Sequence, residues 1–197
     1  MTVQDWPQSW RICLKGDPDS CYIDLPLVSG HNGVRIYALD LMGKTGQNTA
    51  AAESLCNMIG DRGLDYDVLI TAESKAIALT NELAKLVNNE DYVVLRKSPK
   101  LYMPDPVMVE VQSITTKNVQ YLYLGRDKAN ALVGKRAIVV DDVVSTGGTM
   151  DAILDMADKV GFEVTLIATV LTEGEDRTQY RGIPLVKLGH IPLPEAL

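Results

Sequence analysis

Residues 137–150 read AIVVDDVVSTGGTM: four apolar residues, two adjacent aspartates, two more valines, then hydroxyl residues and glycines. The apolar opening predicts a buried strand, and helical periodicity from about Thr146 to Val160 predicts that the strand runs almost directly into a helix. A strand that enters a helix this way presents unpaired backbone N–H groups and the positive end of the helix to whatever lies above it. Ser145, Thr146 and Thr149 add hydroxyl donors, while Gly147 and Gly148 let backbone approach an anion with no β-carbon in the way. Val143 and Val144 lead the chain into that loop. Asp141 and Asp142 would repel a phosphate, so they suit sugar hydroxyls, which donate to them, or a cation that accompanies a phosphate. Phosphate donors beside acceptors for a sugar point to a ribose phosphate.

Outward from this segment, strand and helix patterns alternate. TAAAESLCNMIGDR (49–62) is rich in helix formers and stops at Gly63. DVLITA from Asp67 suits a buried strand, AIALTNELAKLV from Ala76 a helix with Ile77, Leu79, Leu83, Leu86 and Val87 near one face, and YVVLRK from Tyr92 a strand. VMVEVQSI and VQYLYLG, joined by TTKN, predict a hairpin arm, and EVTLIATVL from Glu163 a final strand. The alternation predicts an α/β fold with a mainly parallel sheet and helices on both faces. Ligands of such sheets collect at the carboxyl ends of the strands, where TAESK, RKSPK, DDVVSTGGT and TEGED fall. The expected organisation is one domain over residues 1–197: a core over about 46–173, with 1–45 and about 174–197 together forming a small cap.

Composition narrows the function. A formal charge of -7 argues against a general nucleic-acid binder, because phosphate neutralisation needs Lys and Arg. Charges interrupt every apolar run before the roughly 20 residues that a membrane span requires. The N-terminal MTVQDWPQSWRICLKGD lacks the pattern of a secretory signal, so the cytoplasm is the expected compartment. Cys13, Cys21 and Cys56 show no metal-binding or catalytic spacing and are expected to be free thiols. GxxxxGK[ST] is absent, and no strand ends on GxGxxG, which disfavours nucleoside triphosphates and dinucleotides as ligands.

VVDDVVSTGGT resembles the phosphoribosyl pyrophosphate signature of the type I phosphoribosyltransferases. Two further segments are similar to the purine branch of that family. TAESK resembles its pyrophosphate loop, carried over to Ala72, Glu73, Ser74 and Lys75, with lysine where many relatives have arginine; RKSPKLYM resembles its Arg-Lys-x-x-Lys segment, carried over to Arg96, Lys97 and Lys100. The resemblance spans roughly Asp67 to Glu173 and leaves the N-terminal region unmatched. It implies transfer of phosphoribosyl from phosphoribosyl pyrophosphate to a purine base. Asp141, Asp142, Lys75 and Arg96 would be the catalytic residues, and Val143 to Thr149 would hold the 5′-phosphate. Magnesium would arrive with the ligand, with Asp141 as the candidate contact, and the protein would act as a homodimer.

The arm QSITTKNVQYLYL occupies the place of the family's mobile loop, so Ser113, Thr115, Thr116 and Lys117 are candidate pyrophosphate contacts. It lacks the Glu-Tyr pair common in adenine enzymes. Where 6-oxopurine enzymes carry a lysine that donates to the exocyclic oxygen, this chain has Glu173 or Gly174. A glutamate accepts from an amino group instead, which favours adenine as the acceptor and AMP as the product. Tyr22, Tyr37 and Trp10 are candidate stacking partners for the base. The alternatives are a xanthine or hypoxanthine-guanine enzyme, or a non-catalytic regulator that binds phosphoribosyl pyrophosphate; the segment before the first matched strand lacks the basic footprint of a DNA-binding domain.

Overall fold

The computed structural model describes residues 6–15, 21–29, 35–111 and 119–193. Three strands open the chain: β1 (Ser9–Cys13), β2 (Tyr22–Ser29) and β3 (Arg35–Tyr37), paired antiparallel in that order. Then follow α1 (Thr45–Gly60), β4 (Val68–Ala72), α2 (Ile77–Leu86), β5 (Val93–Leu95), the hairpin β6 (Val107–Val111) and β7 (Gln120–Leu124), α3 (Arg126–Leu132), β8 (Arg136–Val144), α4 (Gly148–Val160), β9 (Glu163–Glu173), β10 (Gln179–Tyr180) and β11 (Ile183–Ile191). The main sheet has six strands in the order β10-β11-β9-β8-β4-β5, parallel except for the antiparallel β10.

Side-chain alternation explains why both faces of this sheet are covered. Along β8, Ile138 and Val140 join the core beneath α1 and α2, whereas Ala137 and Val139 join the core beneath α3 and α4. β4 divides the same way, with Leu69 on the first side and Ile70 on the second. Strands apolar on both faces need helices on both faces, and βαβ crossovers supply them. The hairpin shields one edge: Arg96, just past β5, exchanges backbone hydrogen bonds of 2.9 and 2.8 Å with Tyr123 of β7. No helix among the described residues is long and apolar enough to cross a membrane.

The sheet differs from expectation at its other edge. The C-terminal segment expected in the cap instead supplies β11, which runs parallel to β9 from Leu185↔Ile167 to Ile191↔Glu173. IPLVKLGHI is long enough to pair with most of β9, and Gly189 lets β1 pack closely, since a Cβ there would lie 2.9 Å from Ile12 Cδ1. Helix α3 is also additional to the expected elements. The N-terminal three-stranded sheet stands apart from the main one; it is fastened by Ile12, Ile23 and Leu25 in the α1-side core and by a 2.6 Å bond from Ser54 Oγ to the Leu14 carbonyl.

Within the main sheet the chain reverses its direction of travel between β4 and β8. From β4 it proceeds through α2 to β5 at one edge; from β8 it proceeds through α4 to β9 toward the other. The loops after β4 and β8 therefore part above the sheet and leave a crevice at their carboxyl ends. Leu55, on α1, is fully buried in the core that supports this arrangement. Leu55→Ala should lower unfolding stability by about 2–5 kcal/mol, measured by urea titration.

Candidate active site

A cavity of about 390 Å³ occupies the crevice and is continuous, through shared walls that include Asp141, Val143, Ser145 and Thr149, with a second lobe of about 180 Å³. The larger lobe is walled by the loop after β4 (Ala72, Glu73, Ser74, Lys75), by Asp141, Asp142 and Val143 of β8, and by Glu173 at the end of β9. The smaller lobe lies against Val144 to Met150. The N-terminal sheet closes one side with Ile36, Tyr37, Ala38 and Leu39, and the hairpin contributes Val111, Gln120, Tyr121 and Leu122.

Asp141 and Asp142 do not end their strand, as the sequence suggested; they lie inside β8, which stays paired with the long β9 through Asp141↔Thr169 and Val144↔Thr172. Both are buried, at 9% and 8% exposure. Asp141 Oδ1 accepts from the Asp142 backbone N–H at 2.9 Å. Burial, and then the adjacent Asp142 charge, push the Asp141 carboxyl well above the usual carboxylate range, although that N–H bond and Lys75 pull it back. Among the described residues Asp142 Oδ2 is a buried acceptor with no hydrogen-bond donor, and Lys75 Nζ stands 3.8 Å away, close enough for an ion pair but not a hydrogen bond. An unmatched acceptor of this kind suits a ligand hydroxyl or the solvation shell of a cation.

The smaller lobe surrounds the N-terminus of α4. Gly147 adopts φ +96°, which glycine tolerates at little cost, and α4 has no side-chain cap on its first N–H groups. Those donors are left for an anion. Asp151 in the first helical turn opposes that field, and Arg181, 3.5 Å from its carboxylate, offsets it.

The basic residues separate into two groups. Lys75 and Lys97 line the cavity. Arg96 and Lys100 do not: Arg96 faces Glu73 at 3.2 Å, and Lys100 Nζ donates to Ser98 Oγ at 2.8 Å. Glu73 also accepts from the Lys97 backbone N–H at 3.0 Å, so its carboxylate ties the loop after β4 to the loop after β5. Tyr37 is the one of the three candidate aromatics on the cavity wall; its hydroxyl donates to the Pro7 carbonyl, and Trp10 packs on it at 5.6 Å between ring centroids. Tyr22 lies elsewhere, beneath the Arg11 guanidinium. Ser113, Thr115, Thr116 and Lys117 fall outside the described residues. Sequence reasoning missed Ile36, Ala38 and Leu39, which carry no chemical signature and line the cavity only because the N-terminal sheet folds over it. No group of three or more metal-binding side chains occurs among the described residues.

Comparison with known proteins identifies the family. The model of the phosphoribosyl transferase domain matches residues 48–186. Curated relatives named hypoxanthine/guanine phosphoribosyltransferase include one from Methanotorris igneus, 35% identical over 63% of this chain and 67% of that protein, and one from Methanothrix thermoacetophila, 32% identical over 73% and 72%. A relative of the same name from a Methanocaldococcus species is 34% identical, but the match spans just 62% of its length. Among solved structures, adenine phosphoribosyltransferase from Rhodothermus marinus superposes with a TM-score of 0.65 at 19% identity, covering 84% of this chain and 93% of that one. The enzyme of that name from Thermoanaerobacter pseudethanolicus gives 0.64 at 18%, covering 84% and 95%. The chain belongs to the phosphoribosyltransferase family and has the fold of its type I members.

Proposed function

We propose that this protein transfers phosphoribosyl from phosphoribosyl pyrophosphate to a purine base, with adenine as the preferred acceptor and AMP and pyrophosphate as products. The observation that carries this reading is the two-lobed cavity, which sets a buried acidic pair between an uncapped helix N-terminus and the loop bearing Lys75. The proposed setting is purine salvage in the cytoplasm, by a homodimer.

The chemistry follows from charge. As the bond from the anomeric carbon to pyrophosphate breaks and a base nitrogen bonds to that carbon, losing its own proton, which the released pyrophosphate can take up, positive charge grows on the ribose ring and negative charge on the leaving group. Preorganised donors and cations aimed at the developing charge lower the barrier. In this role Lys75 and Lys97 face the pyrophosphate, assisted by backbone groups of Ala72, Glu73 and Ser74. Asp141 and Asp142 accept from the ribose hydroxyls, and whatever negative charge the pair carries faces the ring. Ser145, Thr146, Gly147, Gly148 and Thr149 hold the 5′-phosphate, so remote binding energy orients the reacting carbon. The orphaned Asp142 Oδ2 suits a hydrated magnesium ion carried in by the ligand, with Asp141 as the neighbouring contact, and such an ion would neutralise part of the pyrophosphate charge. Arg96 and Lys100 would reach the leaving group only by abandoning their present partners.

Glu173 on the cavity wall supports adenine, because its carboxylate accepts from an exocyclic amino group. Hypoxanthine or guanine is the alternative acceptor, supported by the names of the curated relatives. Incubation with phosphoribosyl pyrophosphate, magnesium and each purine base in turn should give nucleotide fastest with adenine; no product with any base would overturn the enzyme assignment. Asp142→Asn should cut kcat/KM by about 100-fold or more while leaving the fold intact, judged by steady-state kinetics and circular dichroism.

Asp141 also imposes a pH dependence on stability. With its folded pKa raised, the native state holds a proton that the unfolded chain has already released. This contribution to stability is complete below the ordinary carboxylate range and is lost as pH rises through the raised value. Asp141→Asn, neutral at every pH, should therefore melt higher than the parent protein at neutral pH, with the gap closing near pH ~3, even as activity falls. Thermal melts across pH check this.

A further inference from the structure

Between Glu173 at the cavity and the start of β11, residues 174–182 form a strap that crosses α4. It is fastened at several points. Gly174 N–H donates to the Ile191 carbonyl at 2.9 Å, Lys187 of β11 pairs with Asp176 at 2.5 Å, and Arg181 lies 3.5 Å from Asp151 and 3.7 Å from Asp155 on α4. Near its end Tyr180 is buried at 8% exposure, with the Arg177 guanidinium 5.1 Å from its ring. Its phenol does not line the cavity. It reaches the back of the phosphate loop, where Oη donates to the Gly147 carbonyl at 3.3 Å.

That carbonyl occupies a decisive place. It already accepts the first helical bond of α4, from Asp151 N–H at 2.8 Å, and Tyr180 occupies its second lone pair. The Gly147–Gly148 peptide is trans, so the Gly148 N–H points opposite to the Gly147 carbonyl. A phenol that holds the carbonyl from outside therefore holds the next N–H toward the smaller lobe. Packing behind Gly147 is tight enough to fix the loop's position, since a Cβ at that residue would lie 1.9 Å from Tyr180 Oη. Burial, followed by a hydrogen bond with the neighbouring Asp151 carboxylate, raises the phenol pKa above its ordinary value.

We propose that Tyr180 is a positioning residue for the 5′-phosphate cradle: through the Gly147 carbonyl it aims the N-terminal amides of α4 at the phosphate. This rests on the assignment of Ser145–Thr149 as that cradle. Losing the phenolic hydroxyl should weaken binding of the ribose phosphate end of the donor and leave the pyrophosphate end untouched.

The test compares the full-length parent protein with Tyr180→Phe, which keeps the ring and its packing. Calorimetric titration with ribose 5-phosphate, and separately with magnesium pyrophosphate, reads the two ends of the site. The expected result is about 2- to 10-fold weaker binding of ribose 5-phosphate, as for loss of one neutral hydrogen bond, with pyrophosphate binding unchanged within about twofold. The KM for phosphoribosyl pyrophosphate should rise in parallel while kcat changes less. Unchanged ribose 5-phosphate binding would overturn the proposal, as would equal weakening of both ligands, which a merely structural role produces. A parent protein that shows the split but converts no purine base would overturn the proposed reaction and leave Tyr180 in its role; turnover without the split would do the reverse.

Discussion

The parallel pairing of β4 with β8 is the constraint on which the rest of the molecule depends. Val68, Leu69 and Ile70 lie beside Ala137, Ile138 and Val139, and the chain leaves these two strands toward opposite edges of the sheet. Loops that diverge from adjacent parallel strands cannot cover the space between them, so a crevice forms there whatever the loop sequences are. The residues at these strand ends and loops decide its chemistry: a lysine in the loop on one side, and on the other an acidic pair within β8 followed by a helix start without a side-chain cap. The apolar residues of both strands, buried on both faces, hold the crevice open by fixing the strands that define it.

The same arrangement places function in tension with stability. Two carboxylates side by side within a buried strand repel each other and lose hydration, and one Lys75 ammonium at 3.8 Å from Asp142, itself half exposed, compensates only in part. Asp141 responds by holding its proton more tightly. A sheet built for stability alone would carry apolar residues at these positions; acceptors left unsatisfied suit a binding site.

Around this centre, side chains tie one segment of the chain to another. Glu73 joins the loops after β4 and β5 through Arg96 and the Lys97 amide. Tyr180 joins the strap to the loop that precedes α4. Both bridge segments far apart in sequence, and both use a side chain that local patterning would read as ordinary: an acid in a polar loop, an aromatic near a turn.

The sequence by itself determined the strand and helix alternation, the two-faced burial of the central sheet and the hydroxyl and glycine residues that stand at the start of α4, because these depend on residues within a dozen positions of one another and on the fixed periods of strand and helix. It also brought out Asp141, Asp142, Lys75, Lys97 and Glu173, all of which line the cavity. Only the tertiary structure decided what distant segments do. IPLVKLGHI reads as part of the cap until β9 proves long enough to pair with it. Arg96 reads as a ligand for an anion until Glu73 is found 3.2 Å away. Ile36, Ala38, Leu39 and Tyr180 carry no signal in their own neighbourhoods, since their roles come from the carbonyl or cavity that folding brings against them, and contact across the fold leaves no period in the chain.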